Sequence, residues 1–115
     1  MFDFEKLDVY VKSKTYNKSI TTFLLSKKLD RVTNDQLRRA SFSIMLNIAE
    51  GSGRFTKPDK KHFYVIARGS VFECVAIFDY LNDINSIDDK TYRQYYEILE
   101  EISKMLYALI KGLVK

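Results

Sequence analysis

The residue types that do chemistry are few in this chain, and each can be weighed by its spacing. "DKKH" puts Asp59 and His62 three positions apart, loosely like half of a di-iron site in a helical bundle. Such sites need several inward carboxylates and normally a second histidine, and this sequence has one histidine in all. Cys74 falls among apolar residues, where a thiol behaves as a small hydrophobe and nothing adjacent would lower its pKa. Ser41 and Ser70 have no neighbouring base and read as packing residues that let helices approach. "GSGR" (51–54) lacks the lysine and hydroxyl of a Walker loop and follows a helix instead of a strand, so neither nucleotide fingerprint applies. It reads as a helix end and tight turn. Arg54, Lys57 and the N–H groups opening the next helix could add a modest anion site there. No nucleophile–base pair and no metal-ligand set emerges, so the expectation is a protein that is not an enzyme and carries no cofactor or metal.

The basic residues are the stronger signal. Net charge is +4, and its distribution is uneven: residues 12–39 hold eight basic and two acidic residues, residues 54–68 five and one, and residues 69–115 five and eight. Lys14 and Lys18 form a like-charged i, i+4 pair, mildly unfavourable unless a partner offsets it. Lys27, Lys28 and Arg31 cluster at the first turn, and Arg38 and Arg39 are adjacent. Lys57, Lys61, Tyr64 and Arg68 fall within roughly 60° of one another on a helical wheel. Cations can neutralise phosphates and an exposed tyrosine can stack on an unpaired base. A solvated face is the plainer reading of the same charges, and no RNP, KH, zinc-finger or helix-turn-helix pattern sharpens the choice.

These residues must be held by helices. Glycine and proline concentrate in "GSGRFTKP" (51–58), strand alternation is absent, and apolar residues recur at three- and four-residue spacing elsewhere. Helix one is expected over about Glu5–Lys28, with Val9, Ser13, Tyr16, Ile20 and Phe23 inward. Helix two follows Thr33 or Asn34 as N-cap, buries Leu37, Ser41, Ile44 and Ile48, and stops before Gly51. Helix three opens at Pro58 and carries the row Phe63, Ala67, Ser70, Cys74, Ile77, Leu81 and Ile84. Helix four follows Ser86 as cap, with Asp88 and Asp89 at its positive end, and carries Tyr92, Tyr95, Leu99, Ile102, Leu106, Leu109 and Leu113. Helices of about 20 to 28 residues joined by short turns make one all-α domain over 1–115, an antiparallel up-down-up-down four-helix bundle.

"VFECVAIF" (71–78) is apolar around nearly its whole circumference, with Val71, Phe72, Val75 and Phe78 away from the expected row. A helix apolar all round is buried all round, which predicts a second contact surface and hence self-association, unless long loops or the N-terminal "MFDF" cover the stripe. Glu50 and Glu73 are expected to be partly buried and paired with Arg54, Arg38 or Arg39. No stretch approaches the roughly 20 apolar residues of a membrane span, a single cysteine excludes an internal disulfide, and "MFDFEKLDVY" is unlike a secretory signal. The cytoplasm is the expected location.

"RRASFSIMLNIAEGSGR" (38–54) and "HFYVIARGSVFE" (62–73), followed by a leucine-rich last helix, resemble the family of small bundle proteins encoded in intervening sequences of bacterial 23S rRNA genes. The motif positions are Arg38, Arg39, Asn47, Glu50, Gly51, Arg54, Gly69, Ser70 and Glu73. Met45 stands where many members place proline. The resemblance implies a four-helix bundle, often a ring of five subunits, with no established catalytic activity. A related accessory protein of diversity-generating retroelements uses a basic ring to bind nucleic acid and a reverse transcriptase. The expected function is therefore a non-enzymatic homo-oligomer binding RNA or RNA–DNA through a basic surface. The alternative is a protein–protein scaffold without nucleic-acid contact.

Overall fold

The computed structural model describes residues 1–113. A 3-10 turn over Asp3–Lys6 precedes four helices, α1 (Asp8–Ser26), α2 (Arg31–Ser52), α3 (Lys57–Asp83) and α4 (Asp89–Leu113), in a body of 44 × 25 × 21 Å. There is no strand among the described residues. Among the described residues, no helix is long and apolar enough to cross a membrane. α1 packs beside α2 and α4, and α3 likewise beside α2 and α4, so the helices form a square in which α1 and α3 are diagonal. The outer groove between α1 and α2 therefore lies opposite that between α3 and α4.

The inward rows of α1, α2 and α4 follow their apolar spacing. Leu37, Ser41, Ile44 and Ile48 are buried on α2, and Leu99, Ile102 and Leu106 on α4. Tyr16 of α1 meets Ser41 Oγ at 3.0 Å, and Ser41 Oγ lies 3.5 Å from Cys74 Sγ of α3. Asn17 donates to the carbonyl of Ser41 at 2.8 Å. This chain of partnered polar groups fixes the register of three helices, because any slip would strand buried donors and acceptors.

Several boundaries differ from those expected. The chain breaks at Leu7 (φ −77°, ψ 124°), so the residues before Asp8 form a separate turn instead of extending helix one. α2 is capped by Asp30, which accepts the Thr33 N–H, and not by Thr33 or Asn34. α4 is capped by Asp88, which accepts the Thr91 N–H at 2.7 Å and is held below the usual carboxylate range by hydrogen bonding from Thr91. Ser86 lies two residues before that cap and belongs to the exit of α3, where its N–H donates to Leu81 O at 2.9 Å across Asn85, whose φ of 58° is left-handed. Pro58 lies in the first turn of α3 as expected, and Thr56 is its cap. α2 runs unbroken through Met45.

Gly51 lies inside the last turn of α2, not past its end, and is buried. A Cβ there would sit 2.9 Å from Cε1 of Tyr64 and 3.0 Å from Cβ of Phe63. The glycine thus allows α2 and α3 to close on each other at this end. Gly51→Ala should destabilise the fold by about 1–3 kcal/mol of overpacking, offset by up to about 1 kcal/mol of helix propensity. A urea midpoint that rises would show that α3 does not press on this position.

α3 is turned relative to the expected row. Ile84, just past the last turn, is 52% exposed, and Phe63 and Ile77 are half-buried, because Tyr64, Val71 and Phe78, one position further on at the same seven-residue spacing, take their place. The core positions are Tyr64, Ala67, Ser70, Val71, Cys74, Phe78 and Leu81. Val71 and Phe78, expected outside the core, are wholly inside it.

Candidate nucleic-acid interface

The expected site residues separate into three places. Lys14 and Lys18 are exposed on α1, and Phe2 and Phe4 line a shared surface cavity with them. Across the groove Arg38 is exposed on α2, close to the level of Lys18, because Asn17 and Ser41 meet between them. Arg39 is exposed on the outer back of the same helix. None of these four cations is in an ion pair among the described residues. Glu5 lines the same cavity as Lys14 and Lys18.

Arg68 lies on the opposite side. Its guanidinium stacks 4.8 Å from the Phe72 ring and 5.5 Å from the Tyr107 ring of α4. Its buried Nε has no acceptor among the described residues. The α3/α4 groove holds a cavity of about 490 Å³ where Arg68 and Lys104 face Asp79 and Glu100. Beside it, Val65, Gly69, Phe72 and Tyr107 line a second cavity of about 390 Å³. The groove is apolar and balanced in charge, unlike the α1/α2 side.

The third place is the bundle end at the α2–α3 turn. Arg54 pairs with Glu50 and lies 4.4 Å over the Phe63 ring. Lys57 and Lys61 are exposed, as are Asp59 and His62. Among the described residues, no three His, Cys, Asp or Glu side chains gather as a metal-ligating group. The expected anion site is largely used up: Pro58 has no N–H, and the Asp59 N–H is taken by Thr56 Oγ1 at 3.2 Å.

Two expectations about side chains fail. Tyr64 is 4% exposed, and burial raises its phenol pKa, so it cannot stack on a base. The rotation of α3 that exposes Ile84 is what carries Tyr64 inward. Glu73 is exposed and accepts from Gln36 Nε2 at 3.2 Å; no arginine reaches it. Glu50 does pair with Arg54, although on the surface, where such a pair contributes little. The thiol of Cys74 is fully buried and pushed up by that burial, the opposite of an activated nucleophile.

Other motif residues build the α2–α3 seam. Asn47 donates to Ser43 O at 2.8 Å and to Ser43 Oγ at 3.0 Å, and Ser70 donates to the same oxygen at 2.9 Å. Gly69 is exposed in mid-helix with nothing within 4 Å of a Cβ placed on it. An interior helical glycine costs roughly 0.5–1 kcal/mol relative to alanine, and no contact among the described residues accounts for it.

The family model of the 23S rRNA-intervening sequence protein matches residues 5–108. The chain belongs to this family. The bundle also matches a crystal structure of a protein of unknown function from the S23 ribosomal protein family of Bacteroides thetaiotaomicron. The TM-score is 0.84 at 25% identity, covering 90% of this chain and 98% of that one. No curated protein matches the sequence. In this intervening-sequence protein the motif residues thus divide between helix packing (Asn47, Gly51, Ser70) and surface charge (Arg38, Arg39), a division that spacing alone does not reveal. Sequence reasoning passed over Phe55, although an aromatic residue in a glycine- and proline-bounded turn has no helix face on which to bury.

Proposed function

We propose that this intervening-sequence protein is a non-enzymatic, self-associating bundle of the cytoplasm that binds nucleic acid, RNA or RNA–DNA, by phosphate contacts along α1 and α2. The observation that carries the reading is the segregation of surface chemistry. Lys14, Lys18 and Arg38 flank the α1/α2 groove and Arg39 stands on the outer back of α2, none of them ion-paired among the described residues. Val65, Phe72 and Tyr107 stay about half exposed on the α3/α4 side.

The apolar side is the contact surface for further subunits. The N-terminal segment does not cover it, since Phe4 packs on Tyr10 of α1 and Phe2 and Phe4 face the end of α2. Gly69 on that side supports close approach of another helix. A ring of five, as the family resemblance implies, would bury one such stripe per subunit and repeat the basic face around the assembly.

Binding of a structured RNA across a salt series tests the reading. Log affinity should fall linearly with log salt, with a slope of about −0.9 per phosphate contacted in a duplex. No binding at low salt would end it. Sedimentation at micromolar concentration should show more than one subunit, and a monomer would remove the assembly.

A second reading is supported by the balanced charge of the α3/α4 groove: a scaffold that docks another protein, such as a reverse transcriptase, without touching nucleic acid. Recovery of that partner after nuclease treatment would favour it.

A further inference from the structure

We propose that Phe55 is a stacking platform for an unpaired base, so that single-stranded segments bind at the bundle end where α2 turns into α3. This rests on the nucleic-acid reading above and adds to its α1/α2 contacts a second place, the bundle end, with the ligand form taken there. Phe55 lies between the last residue of α2 and the cap of α3, and its side chain is wholly exposed. No helix face is available to cover it.

Phe2 and Phe4 line with Phe55 a cavity of about 410 Å³, within the roughly 300–1,000 Å³ range of small-ligand sites. Phe2 is itself 73% exposed, and it is held in place: its N–H donates to the Glu5 carboxylate at 2.7 Å, and its ring stacks on Phe4. Two anchored aromatic walls and one free ring suit a planar, apolar-faced ligand.

Two exposed lysines follow Phe55 at the start of α3. Lys57 and Lys61 are exposed and in no ion pair among the described residues. Lys60 is tied to Ser52 O at 2.8 Å, and Arg54 neutralises Glu50. Lys57, two residues past Phe55, and Lys61, one turn further along α3, can take phosphates flanking the stacked base, outside the cavity itself, whose charged lining is Glu50, Arg54 and Asp59. Asp59 at the cavity rim would repel a phosphate placed there, but can accept a hydrogen bond from the exocyclic amine of a base. Stacking tolerates any base because every base has a π-face.

The test compares wild type and Phe55→Ala for binding a short single-stranded RNA and the same strand annealed to its complement. The variant should fold normally, because the ring touches nothing it would leave empty, and an unchanged urea midpoint checks this. Its affinity for the single strand should fall about 5- to 150-fold, the range of one lost stacking contact. Duplex affinity and the salt slope should hold, since no charge is lost, and Phe55→Tyr should bind as wild type. Equal single-strand binding by wild type and Phe55→Ala would overturn the inference while leaving the nucleic-acid reading standing. Wild type that binds neither form would overturn that reading, and this inference with it. A lower assembly mass for Phe55→Ala would assign the ring to subunit contact and overturn the stacking role.

Discussion

Phe78→Ala should lower the free energy of unfolding by about 3–5 kcal/mol, a large share of the roughly 5–15 kcal/mol that holds a domain together. Phe78 is wholly buried, stacks on Tyr95 with ring centres 4.7 Å apart and planes 10° apart, and lies 6.0 Å from the Phe23 ring. Those three rings come from α3, α4 and α1, and Tyr95 is further held by Ser19 at 2.8 Å. Truncating the central ring leaves a void among three helices that cannot all move inward, so the cavity penalty adds to the lost transfer energy. Phe72→Ala, six residues earlier and 56% exposed, should cost the isolated subunit far less. Urea unfolding separates the two by midpoint at unchanged slope. Equal losses would mean that α3 is not turned as described.

Replacing Lys14, Lys18, Arg38 and Arg39 together by glutamine should weaken RNA binding by about 100-fold or more at low salt. It should also reduce the salt slope by about three to four, one contact for each charge removed. The fold should be little affected, because none of the four is paired among the described residues and surface substitutions usually change stability by at most about 0.5 kcal/mol each. Relief of the Lys14–Lys18 repulsion adds a few tenths in the favourable direction. Fluorescence anisotropy with a labelled structured RNA reads both quantities. An unchanged slope would place the phosphates elsewhere.

Much of the fold was legible because apolar spacing on α1, α2 and α4 has one solution. Leu37, Ser41, Ile44 and Ile48 can face inward together on no other structure than a helix. The ends were harder, since several residues could serve as caps. Asp30, Thr33 and Asn34 all suit an N-cap, and only the backbone decides among them. Ser86 was lost to the turn closing α3. Gly51 looked like a terminator because the reason for it, the approach of Phe63 and Tyr64, belongs to another helix.

The candidate site was legible as charge and not as arrangement. The basic excess of the first half is fixed by composition. Which cations share a side depends on the rotation of each helix about its axis. A turn of some tens of degrees in α3 was enough to bury Tyr64 and to leave Glu73 in water. At the start of α3 the missing N–H of Pro58 is legible in the sequence, whereas the use of the Asp59 N–H by Thr56 Oγ1 is not.

Lysine acetylation mapped residue by residue, with and without saturating RNA at low salt, tests the segregation of the two sides most directly. Lys14 and Lys18 should be protected by RNA, while the exposed α4 lysines Lys90, Lys104 and Lys111 should react at unchanged rates. Protection of the α4 lysines with Lys14 and Lys18 still reactive would contradict the assignment of nucleic acid to the α1/α2 side.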